Sequence, residues 1–206
     1  RACRRVLRYL FYLSKRICLR NKNFSVISSD CVGGFILGKL KIRFDSPTIN
    51  LWFYPSDFVK FCRELKYYMS EELIEDKSTG MNYPVGSLGR GDRKITIYFM
   101  HYDSFIQAKE KWEQRKTRIH WDNLYFIMNG GDKCPEETAR EFDALPYKHK
   151  AFLTFKKYDG IKSAVKFDAA KKSTGNAGTP KLFMYRSALQ IGHVIDDWDY
   201  IGFLNS

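Results

Sequence analysis

From residue 24 onward, the chain alternates short runs of β-branched and aromatic residues with stretches whose apolar residues recur at helical spacing. The runs predict five strands, over residues 24–28, 48–53, 94–99, 124–128 and 151–155. Strands that alternate with helices are typical of a parallel sheet covered by helices. We therefore expect an α/β fold with a mostly parallel sheet flanked by helices.

Helix-start signals lie between the predicted strands. Ser56 and Ser104 are suited to cap helix N-termini, and Pro135 is suited to the first position of a helix. The apolar spacing that follows predicts three helices, over residues of about 56–69, 104–120 and 135–142. Residues 77–93 are rich in glycine and contain a proline, so they predict a loop.

The first 22 residues differ in charge from the rest of the chain. They carry eight cations, and the first acidic residue is Asp30. Apolar residues recur among the cations at helical spacing, which predicts a basic amphipathic helix over residues 1–22. This helix would lie on an anionic membrane surface, or it would pack its apolar face on the core and solvate its charges. We expect residues 23–206 to form a single α/β domain.

Composition limits the classes of function. A chain of 206 residues with 44% hydrophobic residues is long enough for one well-filled core. Its five cysteines are odd in number and form no closely spaced pairs, which predicts neither a disulfide framework nor a metal site and favours a reducing cytoplasm. The net charge of +12 suits nucleic acid, but no RNA-recognition, helix-turn-helix or zinc-finger signature supports such a partner, so nucleic-acid binding is not expected.

Candidate chemistry lies just after the predicted strands, because the carboxyl ends of parallel strands share one edge of a sheet. Cys31 follows the first strand, and His101 and Tyr102 follow the third. A thiol needs a base to become a nucleophile, so we expect Cys31 and His101 to form a pair for acyl transfer. The backbone amides of Gly33 and Gly34 would stabilise the oxyanion. The structural alternative is that the cysteine is a small core residue and the histidine bonds to backbone.

Two further groups of residues are candidates for substrate binding. Asp132 ends an Asn-Gly-Gly-Asp turn and would hold a cation against a nucleotide diphosphate, although this sequence is also ordinary turn chemistry. Arg115 and Arg118 lie near the end of the second predicted helix, and Trp121 and Asn123 follow it. These four residues would clamp an anionic substrate, or the cations would simply complement the helix dipole.

Seven short motifs carry a resemblance to a known family. They are ISSDCVGG (27–34), SPTINL (46–51), PSDFVKF (55–61), YPVG (83–86), FMHY (99–102), KWEQR (111–115) and RIHWDN (118–123). In this order, over residues of about 24–158, the chain resembles a bacterial family of unknown function that is named for exopolysaccharide biosynthesis. The family usually has Asn where this chain has Asp30 and an aromatic residue where it has Val32. Cys31, Gly33 and Gly34 match the family pattern.

The resemblance implies a role in the synthesis of a surface polysaccharide, without naming a reaction. We therefore expect a transferase that acts on a surface glycan or its precursor, in the cytoplasm or at the inner face of the cytoplasmic membrane. It would use an acyl donor through Cys31 and His101, or it would transfer a glycosyl group from a nucleotide sugar. The alternative is a non-catalytic scaffold or regulator that docks to the membrane through residues 1–22. The cofactor stays unknown at this stage.

Overall fold

The computed structural model describes residues 2–131, 134–168 and 181–206. Its strands in chain order are β1 (Ser25–Ser28), β2 (Ile74–Glu75), β3 (Val85–Leu88), β4 (Ile95–Tyr98), β5 (Leu124–Gly131), β6 (His149–Thr154) and β7 (Ala164–Lys166). Its α-helices are α1 (Ala2–Cys18), α2 (Val32–Leu40), α3 (Pro55–Arg63), α4 (Leu65–Ser70), α5 (Phe105–Lys116), α6 (Glu136–Asp143) and α7 (Tyr200–Leu204).

A parallel sheet organises this part of the chain, with strand order β1-β5-β6-β7. Its two faces cover separate cores, because neighbouring residues of a strand point to opposite sides. Val26 and Ile127 pack with α2 and the C-terminal segment, whereas Ile27 and Phe126 pack with α3 to α6. Burial on both faces explains why the central residues of these strands are apolar. The expected α/β fold with a mostly parallel sheet is confirmed.

The region between α4 and α5 differs from the prediction. The strand predicted over 94–99 is present as β4, but it pairs antiparallel with β3 in a separate sheet of order β2-β3-β4. The loop predicted over 77–93 contains β3, whose four residues are all buried. Gly80, Gly89 and Gly91 lie outside the strand, whereas Gly86 lies within it, where a Cβ would lie 2.8 Å from Cδ1 of Leu73.

The strand predicted over 48–53 is absent from its described residues. Asn50 has a φ of 63°, in the left-handed region, which interrupts an extended backbone. Only Trp52 makes a ladder contact there, an isolated antiparallel bridge to Tyr98 in which each backbone N–H donates to the other residue's carbonyl at 2.9 Å. The segment is therefore a buried connection that reaches the second sheet at one point.

The helix boundaries follow the local capping chemistry. Ser104 caps α5 as expected, because its Oγ accepts a hydrogen bond from the N–H of Gln107 at 3.3 Å. The helix predicted over 56–69 begins instead at Pro55 and breaks at Glu64, whose ψ of 42° separates α3 from α4. Pro135 lies at the N-cap of α6 and not at its first helical position.

A buried carboxylate attaches α1 to the C-terminal segment. The side chain of Asp196 is 0% exposed and accepts hydrogen bonds at 2.8 Å from the hydroxyls of Tyr12 and Tyr200 and from the backbone N–H of His193. Lys15 Nζ lies 3.3 Å from the same carboxylate. Burial alone would raise the pKa of Asp196, but these bonds outweigh it and hold the pKa well below its ordinary value.

The substitution Asp196→Asn is expected to lower the free energy of unfolding by about 3 kcal/mol, because it leaves buried donors without a charged acceptor. The folded-state pKa of Asp196 lies below the unfolded value of about 3.9, so the ionised group stabilises the fold above that pH. This contribution decreases once the pH falls below the unfolded value, because the unfolded chain then binds a proton that the folded protein does not, and it is fully lost below the folded-state pKa. Urea unfolding at about pH 7 and about pH 3 measures both effects.

The exposed Asp122→Asn is the matched control and should change neither quantity. In the Asp196→Asn variant, the loss of stability between the two pH values should be smaller than in the wild-type protein. Equal acid sensitivity of the two proteins would contradict the role of this carboxylate.

Candidate active site

A cavity of about 960 Å³ opens at the carboxyl ends of β1 and β5. Sheet edges of this kind are where open α/β folds bind ligands, and the volume suits a small-molecule substrate. The turn between β1 and α2 forms one wall, with Ser29, Asp30 and Cys31. The opposite walls come from the approach to α3, the residues after β4, the end of β5 and the start of α6.

Cys31 and His101 meet in this wall. The Sγ of Cys31 lies 3.0 Å from Nε2 of His101, across 70 residues of sequence. The sequence predicted this pair, but through the wrong strand, because His101 follows β4 of the antiparallel sheet and not a strand of the parallel one. The single bridge between Trp52 and Tyr98 joins the second sheet to the connection that borders the cavity.

The thiol of Cys31 is protonated at neutral pH. Burial and the nearby carboxylate of Asp30 raise the pKa of Cys31 to about 12. Asp30 is itself fixed, since one oxygen accepts from the N–H of Val32 at 2.9 Å and the other from Nδ2 of Asn129 at 2.6 Å. Burial raises the pKa of Asp30, and these two bonds oppose that effect. The resting pair is therefore a neutral thiol beside an imidazole that can accept its proton.

Gly33 and Gly34 are packing positions and do not line the cavity. The N–H of Gly33 donates to Ser28 Oγ at 3.1 Å, and a Cβ on Gly33 would lie 2.7 Å from the Cβ of Ser28. A Cβ on Gly34 would lie 3.1 Å from the side chain of Ile49. Both glycines let α2 approach its neighbours closely. The amide of Gly33 is thus engaged by Ser28, and neither glycine is among the residues that line the cavity beside Cys31.

Tyr102 and Arg115 lie behind the cavity and support its wall. Nη1 of Arg115 donates to the hydroxyl of Tyr102 at 2.7 Å and to the carbonyl of Ile49 at 3.2 Å. The Tyr102 hydroxyl in turn donates to the same carbonyl at 3.3 Å. These three bonds fix the connection that carries Trp52 to the cavity. The two residues hold the site in place and do not line it.

The remaining predicted binding residues lie away from the pair. Asn123 precedes the first residue of β5, at the opposite end from the cavity, and its Nδ2 donates to the carbonyl of Asn23 at 2.7 Å. Trp121 lines a separate cavity of about 320 Å³. Arg118 lies in the segment of the chain that joins the end of α5 to the start of β5. The structure thus does not bring Arg118, Trp121 and Asn123 to Cys31.

Asp132 lies outside the described residues, so its predicted role in binding is not placed. Across residues 2–131, 134–168 and 181–206, no group of three or more His, Cys, Asp or Glu side chains is arranged to hold a metal ion.

An aromatic wall is the feature that sequence reasoning missed. Trp52 stacks on Tyr98 with ring centroids 4.0 Å apart and an angle of 11° between the rings. The half-exposed ring of Tyr54 meets Trp52 edge-on at 4.9 Å, and Tyr83 also lines the cavity. The sequence signal for this wall was the run of aromatic residues Trp52, Phe53 and Tyr54 directly before Pro55. Most of this run falls within the strand predicted over 48–53, so it was not considered as a binding surface.

Two helices begin at the cavity with their first amides uncapped by side chains. Pro55 and Ser56 of the α3 start, and Pro135 and Thr138 of the α6 start, all line it. Neither helix has a side-chain hydrogen bond at its N-cap. Helix N-termini carry partial positive charge and free N–H groups, which favour anionic groups of a ligand.

Comparison with known proteins places the chain in a family. Its residues 2–205 match the family described as "Domain of unknown function (DUF1919)". An uncharacterized protein of Haemophilus influenzae (strain ATCC 51907 / DSM 11121 / KW20 / Rd) is 40% identical over 146 residues, which cover 71% of this chain and 68% of that relative. Since the family match includes both sheets and the Cys31–His101 pair, the protein belongs to the DUF1919 family, a bacterial domain of unknown function.

Proposed function

We propose that this protein is a transferase that carries an acyl group on Cys31 and delivers it to a surface glycan or its precursor. The observation that carries the proposal is the distance of 3.0 Å between Cys31 Sγ and His101 Nε2 in the wall of a cavity large enough for a substrate. A thiol with an adjacent base is the arrangement that covalent acyl transfer requires.

The proposed reaction has two steps. The Cys31 sulfur attacks the carbonyl carbon of an acyl donor while its proton passes to Nε2 of His101, and this proton then leaves with the departing group as the carbonyl–leaving group bond breaks. A sugar hydroxyl next attacks the thioester and gives its proton to His101. His101 returns that proton to the sulfur as the thioester bond breaks, which restores the thiol.

A glycan acceptor is proposed from the aromatic wall and the family resemblance. The faces of aromatic rings pack well against the C–H faces of sugar rings, and Trp52 and Tyr54 both line the cavity. The motifs that resemble the family named for exopolysaccharide biosynthesis include the turn with Cys31 and the segment with His101. We propose that the protein works on the cytoplasmic side of the membrane, where such precursors are made.

Glycosyl transfer from a nucleotide sugar is the second candidate. It is favoured by the uncapped starts of α3 and α6 in the cavity wall, since these helix ends suit the phosphates of a nucleotide diphosphate. In this reaction the thiol of Cys31 has no covalent role, which makes the two candidates separable by experiment.

The resting state of the thiol can be measured by its alkylation. Because the pKa of Cys31 is raised to about 12, its reaction with iodoacetamide should have a midpoint well above the free-thiol pKa of about 8.5. Asp30→Asn removes the carboxylate that opposes the thiolate, so alkylation at about pH 8 should accelerate by about tenfold for each unit by which the pKa of Cys31 falls. Mass spectrometry of the Cys31 peptide follows the reaction.

The exposed Cys3 and Cys18 serve as internal references for solvent-accessible thiols in the same sample. Both should react faster than Cys31 in the wild-type protein and at an unchanged rate in Asp30→Asn. A wild-type midpoint below about 8.5, with no effect of the substitution, would show that the resting group is a thiolate and not the neutral thiol inferred here.

The covalent intermediate can be trapped with an activated acetyl thioester. In a background in which the exposed Cys3 and Cys18 are replaced by serine, intact-mass measurement should show one acetyl group, which the further change Cys31→Ala removes. His101→Ala should slow acetylation by a factor of about 10² to 10⁴, the usual range for losing a general base. Cys134→Ala is the matched control, because this buried thiol also lines the cavity and should be dispensable.

Failure of Cys31 to acetylate under these conditions would reject acyl transfer. Calorimetry with a nucleoside diphosphate sugar then tests the second candidate, which predicts binding that Cys31→Ala leaves unchanged. Absence of both acetylation and binding would leave the non-catalytic scaffold as the surviving hypothesis.

A further inference from the structure

The apolar side of α1 faces away from the protein. Four of its large aliphatic side chains are strongly exposed: Val6 by 56%, Leu7 by 44%, Leu10 by 50% and Ile17 by 74%. Their spacing of three, four and seven residues places them on one side of the helix. The alternative in which this helix packs its apolar face on the core is therefore not the arrangement of the structure.

The polar side of α1 faces the protein and fixes its rotation. Arg4 Nη1 donates to Gln190 Oε1 at 3.0 Å, and Arg8 Nε donates to the Gln190 carbonyl at 2.9 Å. Arg16 Nε donates to the carbonyl of Lys39 at 3.2 Å. With the buried contacts of Asp196, these bonds anchor the helix along most of its length. The outward direction of the aliphatic side chains is thus enforced by the fold.

Cations border the apolar side. Arg4 on one flank of α1 and Arg5 on the other are exposed, whereas Lys15 and Arg16 are partly buried in their contacts with Asp196 and the Lys39 carbonyl. Arg20 follows the helix, is exposed, and precedes every acidic residue of the chain. An apolar stripe bordered by exposed cations is the pattern of helices that lie in the interface of an anionic membrane. None of the described helices combines the length and hydropathy needed to cross a bilayer.

We propose that α1 is a membrane-docking surface that lies flat in the interface of a bilayer containing anionic lipid. Val6, Leu7, Leu10 and Ile17 insert at the boundary of the acyl chains, and the exposed Arg5 and Arg20 contact lipid phosphates. Charge complementarity selects this occupant, because two copies joined through the same side would bring their exposed arginines together. The proposal is independent of the chemistry at Cys31.

Vesicle sedimentation of the 206-residue chain tests the proposal. The chain should bind vesicles of phosphatidylglycerol and phosphatidylcholine in equal parts at least about tenfold more tightly than vesicles of phosphatidylcholine alone. The double variant Leu10→Ser with Ile17→Ser should lower the partition coefficient for the anionic vesicles by about a hundredfold. High salt should weaken the binding of the wild-type protein.

Ile106→Ser is the matched control, since Ile106 of α5 is 71% exposed and lies outside the docking surface. It should bind anionic vesicles like the wild-type protein, and thermal unfolding confirms that each variant is folded. Equal binding to both kinds of vesicle, or equal loss in the control and the double variant, would overturn the proposal. Sedimentation velocity that finds a wild-type dimer, made monomeric by the double variant, would overturn it in favour of a second copy.

Discussion

The site depends on how closely α2 packs against β1. Gly33 allows this approach, since a Cβ there would lie 2.7 Å from the Cβ of Ser28. The connection between strand and helix is consequently only three residues long, and it projects Asp30 and Cys31 beyond the edge of the sheet. Asp30 then joins the turn to β5 through its bond to Asn129 at 2.6 Å. The same short turn thus sets the position of the thiol and brings to it the carboxylate that, after burial, raises the pKa of Cys31.

His101, which lies beside the thiol of Cys31, is carried by a different sheet from the one that positions Cys31. His101 follows β4. The connection before α3, which contains Trp52, meets that strand in the single bridge between Trp52 and Tyr98. Tyr102 and Arg115 hold the same connection through the carbonyl of Ile49. A distance of 3.0 Å between sulfur and nitrogen therefore requires both sheets to be in place. Reactive groups positioned in this way are held by rigid elements, which limits their misalignment.

The parallel strands and Cys31 could be predicted from sequence because strands buried on both faces are continuous apolar runs with chemistry at one end. The sheet to which β4 belongs could not be predicted from sequence, because the order of strands depends on contacts between distant parts of the chain, which the local pattern does not encode. The separation of Asn123 from Cys31 was available from sequence alone. Asn123 comes directly before a predicted strand and Cys31 directly after another, so a parallel sheet must place them at opposite edges.

The rotation of α1 shows a different limit of sequence reasoning. Its periodicity predicts an amphipathic helix, but the choice of inward side depends on Asp196, which lies 184 residues beyond Tyr12. A buried carboxylate requires donors, and Tyr12 and Lys15 supply them only when the polar side faces inward. Turning the helix by half a revolution would bury Leu10 and Ile17 at the cost of that cluster. Among the described residues nothing buries these aliphatic side chains, and the bilayer surface proposed above would bury them while leaving the contacts of Asp196 intact.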